Sequence, residues 1–144
     1  MLGTLAKWLR ILGYDTLFDP ELNDHQLVRL ARAEGRVLLT RDRELARRRG
    51  VRVLLVAGEH LDEQVTQVLA DLGLSPQHPF SRCPVCNEPL VARDRQAVRE
   101  RVPAYVARTQ KTFKVCPACQ RVYWRGTHWR RMADRLARFE EPNG

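Results

Sequence analysis

Arg36-Val37-Leu38-Leu39-Thr40-Arg41-Asp42 decides the fold. Val37–Thr40 is apolar without alternation, the pattern of a strand buried on both faces. Upstream, Asn23–Glu34 has helical period: Leu27, Leu30 and Ala31 form its buried stripe, Asn23 and Gln26 make a capping box, and Gly35 ends it. Downstream, Arg43–Arg49 reads as a short basic helix and Val51–Ala57 as another strand, after which Leu61, Val65, Val68, Leu69 and Leu72 stripe a helix closed by Gly73. At the start of the chain Leu5, Ala6, Leu9 and Leu12 predict a helix over Leu2–Leu12, with Lys7 and Arg10 turned away and Gly13 ending it. Tyr14–Phe18 then reads as a short strand.

The resulting order, αβαβαβα, predicts an α/β domain with a parallel sheet covered on both faces and right-handed crossovers. Such sheets place their sites at the carboxyl ends of the strands. Ser75-Pro76-Gln77-His78-Pro79 is a Pro-marked linker, and the composition changes after it to cysteine pairs, short β-like pieces and arginines. The expected boundaries are 1–79 for the α/β domain, 80–127 for a cysteine-bearing domain and 128–144 for a closing helix and tail. In that helix, Trp129–Phe139, the residues Met132, Ala133, Leu136 and Phe139 share one face.

At 144 residues, 44% apolar and 29% charged, the chain has ordinary globular composition, which excludes a disordered or fibrous protein. Met1–Trp8 lacks the basic-then-apolar order of a leader, and no run approaches the ~20 apolar residues of a membrane span. A soluble, cytoplasmic protein is the expectation. Its net charge is +8, carried by 22 arginines and three lysines. Residues 1–79 are balanced, with 11 basic and 11 acidic side chains, whereas residues 80–144 hold 14 basic against 6 acidic. The planar guanidinium fork suits phosphates and stacks on bases, so the excess points to a nucleic-acid partner or else to a bias in composition.

All four cysteines fall in two pairs, Cys83-Pro84-Val85-Cys86 and Cys116-Pro117-Ala118-Cys119. Two C-P-x-C knuckles can gather four thiolates into the tetrahedron that Zn²⁺ accepts, and a closed four-sulfur site is structural because no position is left for substrate. Two disulfides fit a cytosolic chain poorly, and a redox dithiol does not explain the duplication. Residues 87–115 must then form an enlarged hairpin. The residue after each knuckle needs a left-handed conformation, which Asn87 supplies more readily than Gln120. A zinc tetrathiolate adds −2 and lowers the excess to about +6. Near the second knuckle, Tyr123-Trp124-Arg125-Gly126-Thr127-His128-Trp129 mixes aromatics and arginine. Such a mixture can stack on bases and pair with phosphates, and equally Trp124 and Trp129 can be core aromatics. His128 fits a core hydrogen bond or a phosphate contact.

Asp42 stands just past a strand's carboxyl end, and Asp24 opens the preceding helix. Converging carboxylates of this kind hold Mg²⁺ or Mn²⁺ beside a phosphodiester. Their structural readings are an N-cap for Asp42 and a favourable charge at a helix N-terminus for Asp24.

Met1-Leu2-Gly3-x-Leu5-Ala6-x-Trp8-Leu9-Arg10-x-Leu12-Gly13-Tyr14-Asp15, Leu39-Thr40-Arg41-Asp42, the two knuckles and Tyr123-Trp124-x-Gly126-Thr127-His128-Trp129 together closely resemble the Mut-seven C-terminal RNase family. That resemblance spans nearly the whole chain and implies a PIN-like nuclease domain, a three-layer parallel sheet, fused to a Cys₄ zinc ribbon. It matches Asp24 and Asp42 to the family's acidic residues, with Asp15 a looser match. It also implies an apolar strand ending in an Asp ahead of the Met-Leu-Gly segment. Because the sequence begins at Met1 of that segment, the expectation is a PIN-like sheet lacking its first strand and a start codon assigned too late; should the short form be the real one, weak or no Mg²⁺-dependent cleavage is expected.

The reading that follows is a metal-dependent ribonuclease in which Asp24 and Asp42 bind Mg²⁺ or Mn²⁺, Arg41, Arg43, Arg125 and His128 contact RNA, and Cys83, Cys86, Cys116 and Cys119 hold structural Zn²⁺. The rival is a non-catalytic RNA-binding zinc ribbon whose α/β part is scaffold. A pure protein-interaction module is a third class, separable from both because it would retain no RNA at low salt.

Overall fold

The computed structural model describes residues 2–75, 80–126, 130–131, 134–135 and 137. They fall into two units, Met1–Ala6 with Leu17–Ser75, and Lys7–Thr16 with Pro76–Gly144. The first helix, α1 (Leu2–Ile11), contributes its opening residues to one unit and its later turns to the other.

In the first unit α2 (Asp24–Glu34) is set by its caps. Asn23 Oδ1 accepts from the Gln26 N–H at 2.8 Å, Gln26 Oε1 accepts from the Asn23 N–H at 2.9 Å, and Gly35 ends the helix at φ 65°. Strands β1 (Leu38–Thr40) and β2 (Val53–Leu55) pair in parallel, with Leu38 opposite Val53 and Thr40 opposite Leu55. Val28 and Ala31 of α2 pack with Leu38 and Leu45 in a buried cluster edged by Leu27, Val51 and Val53. The last helix, α3 (Leu61–Asp71), buries Val65, Val68 and Leu69. Each such side chain stabilises the fold by about 1.5–3 kcal/mol when fully buried.

Three expectations change. The basic helix over Arg43–Arg49 contracts to a 3-10 turn at Leu45–Arg47, because Leu45 alone of that turn is buried and nothing apolar continues the stripe. The parallel sheet of the described residues has two strands. Tyr14–Phe18 is not a strand. The Tyr14 N–H returns to Leu9 O at 3.0 Å, and side chains hold the backbone at Thr16: its N–H donates to Asn87 Oδ1 at 2.9 Å, and its O accepts from Arg10 Nε at 2.8 Å. Main-chain groups paired in this way need no neighbouring strand.

The second unit contains an antiparallel sheet in the order β3 (Val91–Arg93), β4 (Phe113–Val115), β5 (Val122–Tyr123). The enlarged hairpin between β3 and β4 is filled by two short helices, α4 (Arg95–Val98) and α5 (Ala104–Thr109). Asp94 caps α4 by accepting the Ala97 N–H at 3.0 Å, and Pro103 precedes α5. Val98, Val102, Val106, Phe113 and Val115 form a core of their own, with Ala107, Val122 and Trp124 packed against it. Trp124 is therefore a core-facing aromatic. The Arg135 guanidinium lies 4.9 Å from the centre of the Trp8 ring. Residues 130, 131, 134, 135 and 137 are helical, whereas Met132, Ala133, Leu136, Phe139, Thr127, His128 and Trp129 lie outside the described residues. Among the described residues no helix is long and apolar enough to cross a membrane.

Candidate metal centre

The two knuckles are built alike. In the first, the Asn87 N–H donates to Cys83 O at 2.8 Å and the Cys83 N–H to Glu88 O at 2.9 Å. In the second, the Gln120 N–H donates to Cys116 O at 2.8 Å and the Cys116 N–H to Arg121 O at 3.0 Å. The fifth residue of each turn takes the left-handed conformation expected of it, Asn87 at φ 67° and Gln120 at φ 65°. This winding turns the later amides onto the sulfurs: the Cys86 N–H meets Cys83 Sγ at 3.4 Å, and the Cys119 N–H meets Cys116 Sγ at 3.5 Å.

The four Sγ atoms lie within 4.8 Å of one another, with Cys83 and Cys116 buried and Cys86 and Cys119 half-buried. Cys83 Sγ and Cys119 Sγ are 3.8 Å apart. Sulfurs placed ~2.3 Å from a shared tetrahedral ion have edges of ~3.8 Å, so the donor set fits a metal such as zinc. None of the four forms a disulfide.

The surrounding groups favour the thiolate at Cys119. The Arg121 backbone N–H, aided by its guanidinium and opposed by burial, lowers the Cys119 thiol to about 6. Cys86 moves the other way, raised first by its hydrogen bond with Cys119 and then by burial. Burial and the neighbouring Cys83 hold the Tyr123 phenol above its ordinary range, so it remains a donor 3.2 Å from Cys83 Sγ.

Arg10 was expected to face away from the core, yet it is only 8% exposed. Its Nη1 donates to Pro84 O at 2.8 Å and to Val85 O at 3.3 Å, while Nε reaches Thr16 O. Burial lowers its pKa, and Cys83, Cys86 and Asp15 oppose that shift. Asn87 Nδ2 donates to Asp15 Oδ1 at 2.6 Å, which gives Asp15 a structural role beside the knuckle. Helical periodicity could not reveal Arg10, because its knuckle partners, Pro84 and Val85, lie more than 70 residues away in the chain.

At the carboxyl end of the parallel sheet, Asp42 is exposed two residues beyond β1. Its N–H donates to Thr40 Oγ1 at 3.0 Å and its Oδ1 accepts from the Glu44 N–H at 2.9 Å, so the carboxylate also shapes the turn that follows. Arg41 Nη1 donates to Gly58 O, which also accepts from the buried Gln64 Nε2 at 2.9 Å. Asp24 is the exposed first residue of α2, and Arg43 and Arg125 are exposed. Among the described residues, the four cysteines are the only group of three or more potential metal ligands, so Asp24 and Asp42 join none. His128 lies outside the described residues.

A family model described as Mut7-C RNAse domain matches residues 1–136. No curated protein and no solved structure matches the chain.

Proposed function

Because the chain belongs to the Mut7-C RNAse domain family, we propose that it is a PIN-like ribonuclease that hydrolyses RNA phosphodiester bonds. The family match over residues 1–136 is the observation that carries this reading. In it, the first unit's parallel strands belong to a PIN-like three-layer arrangement, and Asp24 and Asp42 hold Mg²⁺ or Mn²⁺. Two carboxylates suit such an ion, which usually keeps several waters and completes its shell with substrate phosphate. Bound there, it supplies an activated water and neutralises phosphate charge. Asp42 is presented by the Thr40 hydroxyl and the Glu44 N–H, which fix the turn just past β1. Arg41, Arg43, Arg125 and His128 supply cationic or hydrogen-bonding contacts to the RNA. Cys83, Cys86, Cys116 and Cys119 hold structural zinc, which ties the two knuckles together.

The test uses single-stranded and structured RNA with Mn²⁺, comparing the parent with Asp24→Asn and Asp42→Asn. Cleavage by the parent that falls by about 10–100-fold or more in each variant supports the reading, since even outer-shell changes at metal sites cost this much. A parent that retains RNA without cutting it, or variants that cut equally well, would overturn it in favour of a non-catalytic RNA-binding protein.

A further inference from the structure

Residues 10–16 leave α1 beside the first knuckle, and both partners commit buried polar groups to the junction. The Arg10 guanidinium bridges Thr16 O on one side to Pro84 O and Val85 O on the other. Asn87, 9% exposed, accepts from the Thr16 N–H and donates to Asp15. Pro84 and Val85 are the two residues between the thiols of the first pair. Their carbonyls reach one guanidinium because the chain is wound as a knuckle, with the Asn87 N–H on Cys83 O and the Cys86 N–H on Cys83 Sγ.

We propose that the first knuckle is a metal-dependent dock for the chain's own segment 10–16, with Arg10 as the positioning residue that grips its carbonyls. The proposal rests on the four cysteines holding a divalent metal and is independent of the nuclease reading. Charge and geometry both support it. Four thiolates around a divalent ion leave a net −2, and a buried guanidinium is tolerated where negative charge and hydrogen-bond acceptors compensate it. Residues 13–18 form no strand; the Gly13 and Tyr14 N–H groups return to α1 carbonyls, and at Thr16 both the N–H and the C=O are held by these side chains. Unwinding the knuckle withdraws the acceptors and the compensating charge together, so metal loss frees the segment.

The Thr16 amide reports directly, because its acceptor is Asn87 Oδ1. Amide exchange is measured on the full chain, cobalt-loaded and metal-stripped, with the Arg36 amide, which donates to Ala31 O in the first unit, as internal control. Arg10→Met removes the fork and its charge, Arg10→Lys keeps only the charge, and Asn87→Gly keeps the left-handed turn but loses the amide. The expected result is about tenfold or faster exchange at Thr16 on stripping the parent and in loaded Arg10→Met and Asn87→Gly, with Arg10→Lys between, while the control amide holds. Loaded Arg10→Met also yields its metal to a chelator faster than the parent. Thr16 exchange that does not change when the parent is stripped overturns the dock, and this comparison needs no variant to fold. Failure of the parent to bind Co²⁺ with a tetrahedral thiolate spectrum overturns it at its base, separately from any result on RNA.

Discussion

Asn87 and Gln120 hold equivalent places in two knuckles of the same winding, at φ 67° and 65°, yet glycine should destabilise clearly at the first place and little or not at all at the second. A left-handed conformation costs a residue with a side chain about 1–2 kcal/mol, and glycine relieves that cost. Against this, glycine makes the unfolded chain more flexible, which costs about 0.5–1 kcal/mol. The Gln120 side chain is exposed and donates to Pro117 O at 3.0 Å. Its loss removes about 0.5 kcal/mol, at the low end for a hydrogen bond. The sum for Gln120→Gly lies between about 0.5 kcal/mol against the fold and about 1 kcal/mol in its favour, centred close to zero.

Asn87 starts from a smaller strain, since asparagine tolerates this region. Its amide is buried and joins two partners, the Thr16 N–H and the Asp15 carboxylate. Removing both bonds, with Asp15 itself exposed and able to rehydrate, costs about 1–3 kcal/mol. Urea unfolding of the zinc-loaded protein at fixed free zinc measures both values, because bound metal stabilises the native state by mass action. Asn87→Gly should lower the midpoint clearly, and Gln120→Gly should lower it little or not at all. Equal effects at the two positions, within about 0.5 kcal/mol, would refute the view that Asn87 acts through its side chain rather than through its backbone alone.

A Cβ at Gly58 would stand 2.7 Å from Glu63 Cβ, an atom fixed to α3. Gly58→Ala is therefore expected to destabilise by about 1–3 kcal/mol in a thermal melt, and an unchanged melting temperature would contradict the packing. Phe113 is 2% exposed in the core of the second unit; Phe113→Ala should cost about 3–5 kcal/mol, and a loss below 1 would mean that this core does not form. In chelator-treated protein at pH 7, iodoacetamide should modify Cys119 first, since its thiol is lowered to about 6. The thiolate is the nucleophile, so the rate should hold above that pH and fall as acid protonates the sulfur. Peptide mapping that finds another cysteine modified first would argue against the Arg121 contacts.

Local chemistry made much of this molecule readable. Asn23, Gln26 and Gly35 bound α2 because capping acts within a turn or two of the chain. The parallel pairing of β1 with β2 follows from two apolar runs without alternation. Cysteine spacing was enough to assemble the four sulfurs, and the need for a left-handed fifth residue located Asn87 and Gln120. Two of the misses are non-local. Tyr14–Phe18 has the composition of a strand, but Arg10 and Asn87 take up the Thr16 backbone groups at its centre. The helices inside the enlarged hairpin did leave local signals, Asp94 ahead of α4 and Pro103 ahead of α5, within a stretch read only as long. Convergence of Asp24 and Asp42 is a tertiary property, and helix or strand period carries no information about it.

The arginine excess acquires a second meaning from these contacts. Arg10 donates to Thr16, Pro84 and Val85 carbonyls, Arg41 to Gly58, Arg82 to Asn87, Arg95 to Gln110 and Arg101 to Gln120. Arg32 reaches the carbonyls of Arg49 and Gly50 in the same way. The described strands are two or three residues long, so much of the backbone runs through turns and knuckles whose carbonyls have no ladder partner. A guanidinium on a long stem can reach such a carbonyl and still carry its full positive charge. Lysine also donates, but without a planar fork to span two acceptors, which is a physical reason for 22 arginines against three lysines in this chain. The +8 then measures the field available to attract a polyanion, whereas the number of arginines overstates the guanidinium groups whose donors are directed at one. For RNA binding, Arg43 remains a direct candidate by exposure, while Arg41 must act from a side chain already tied to Gly58.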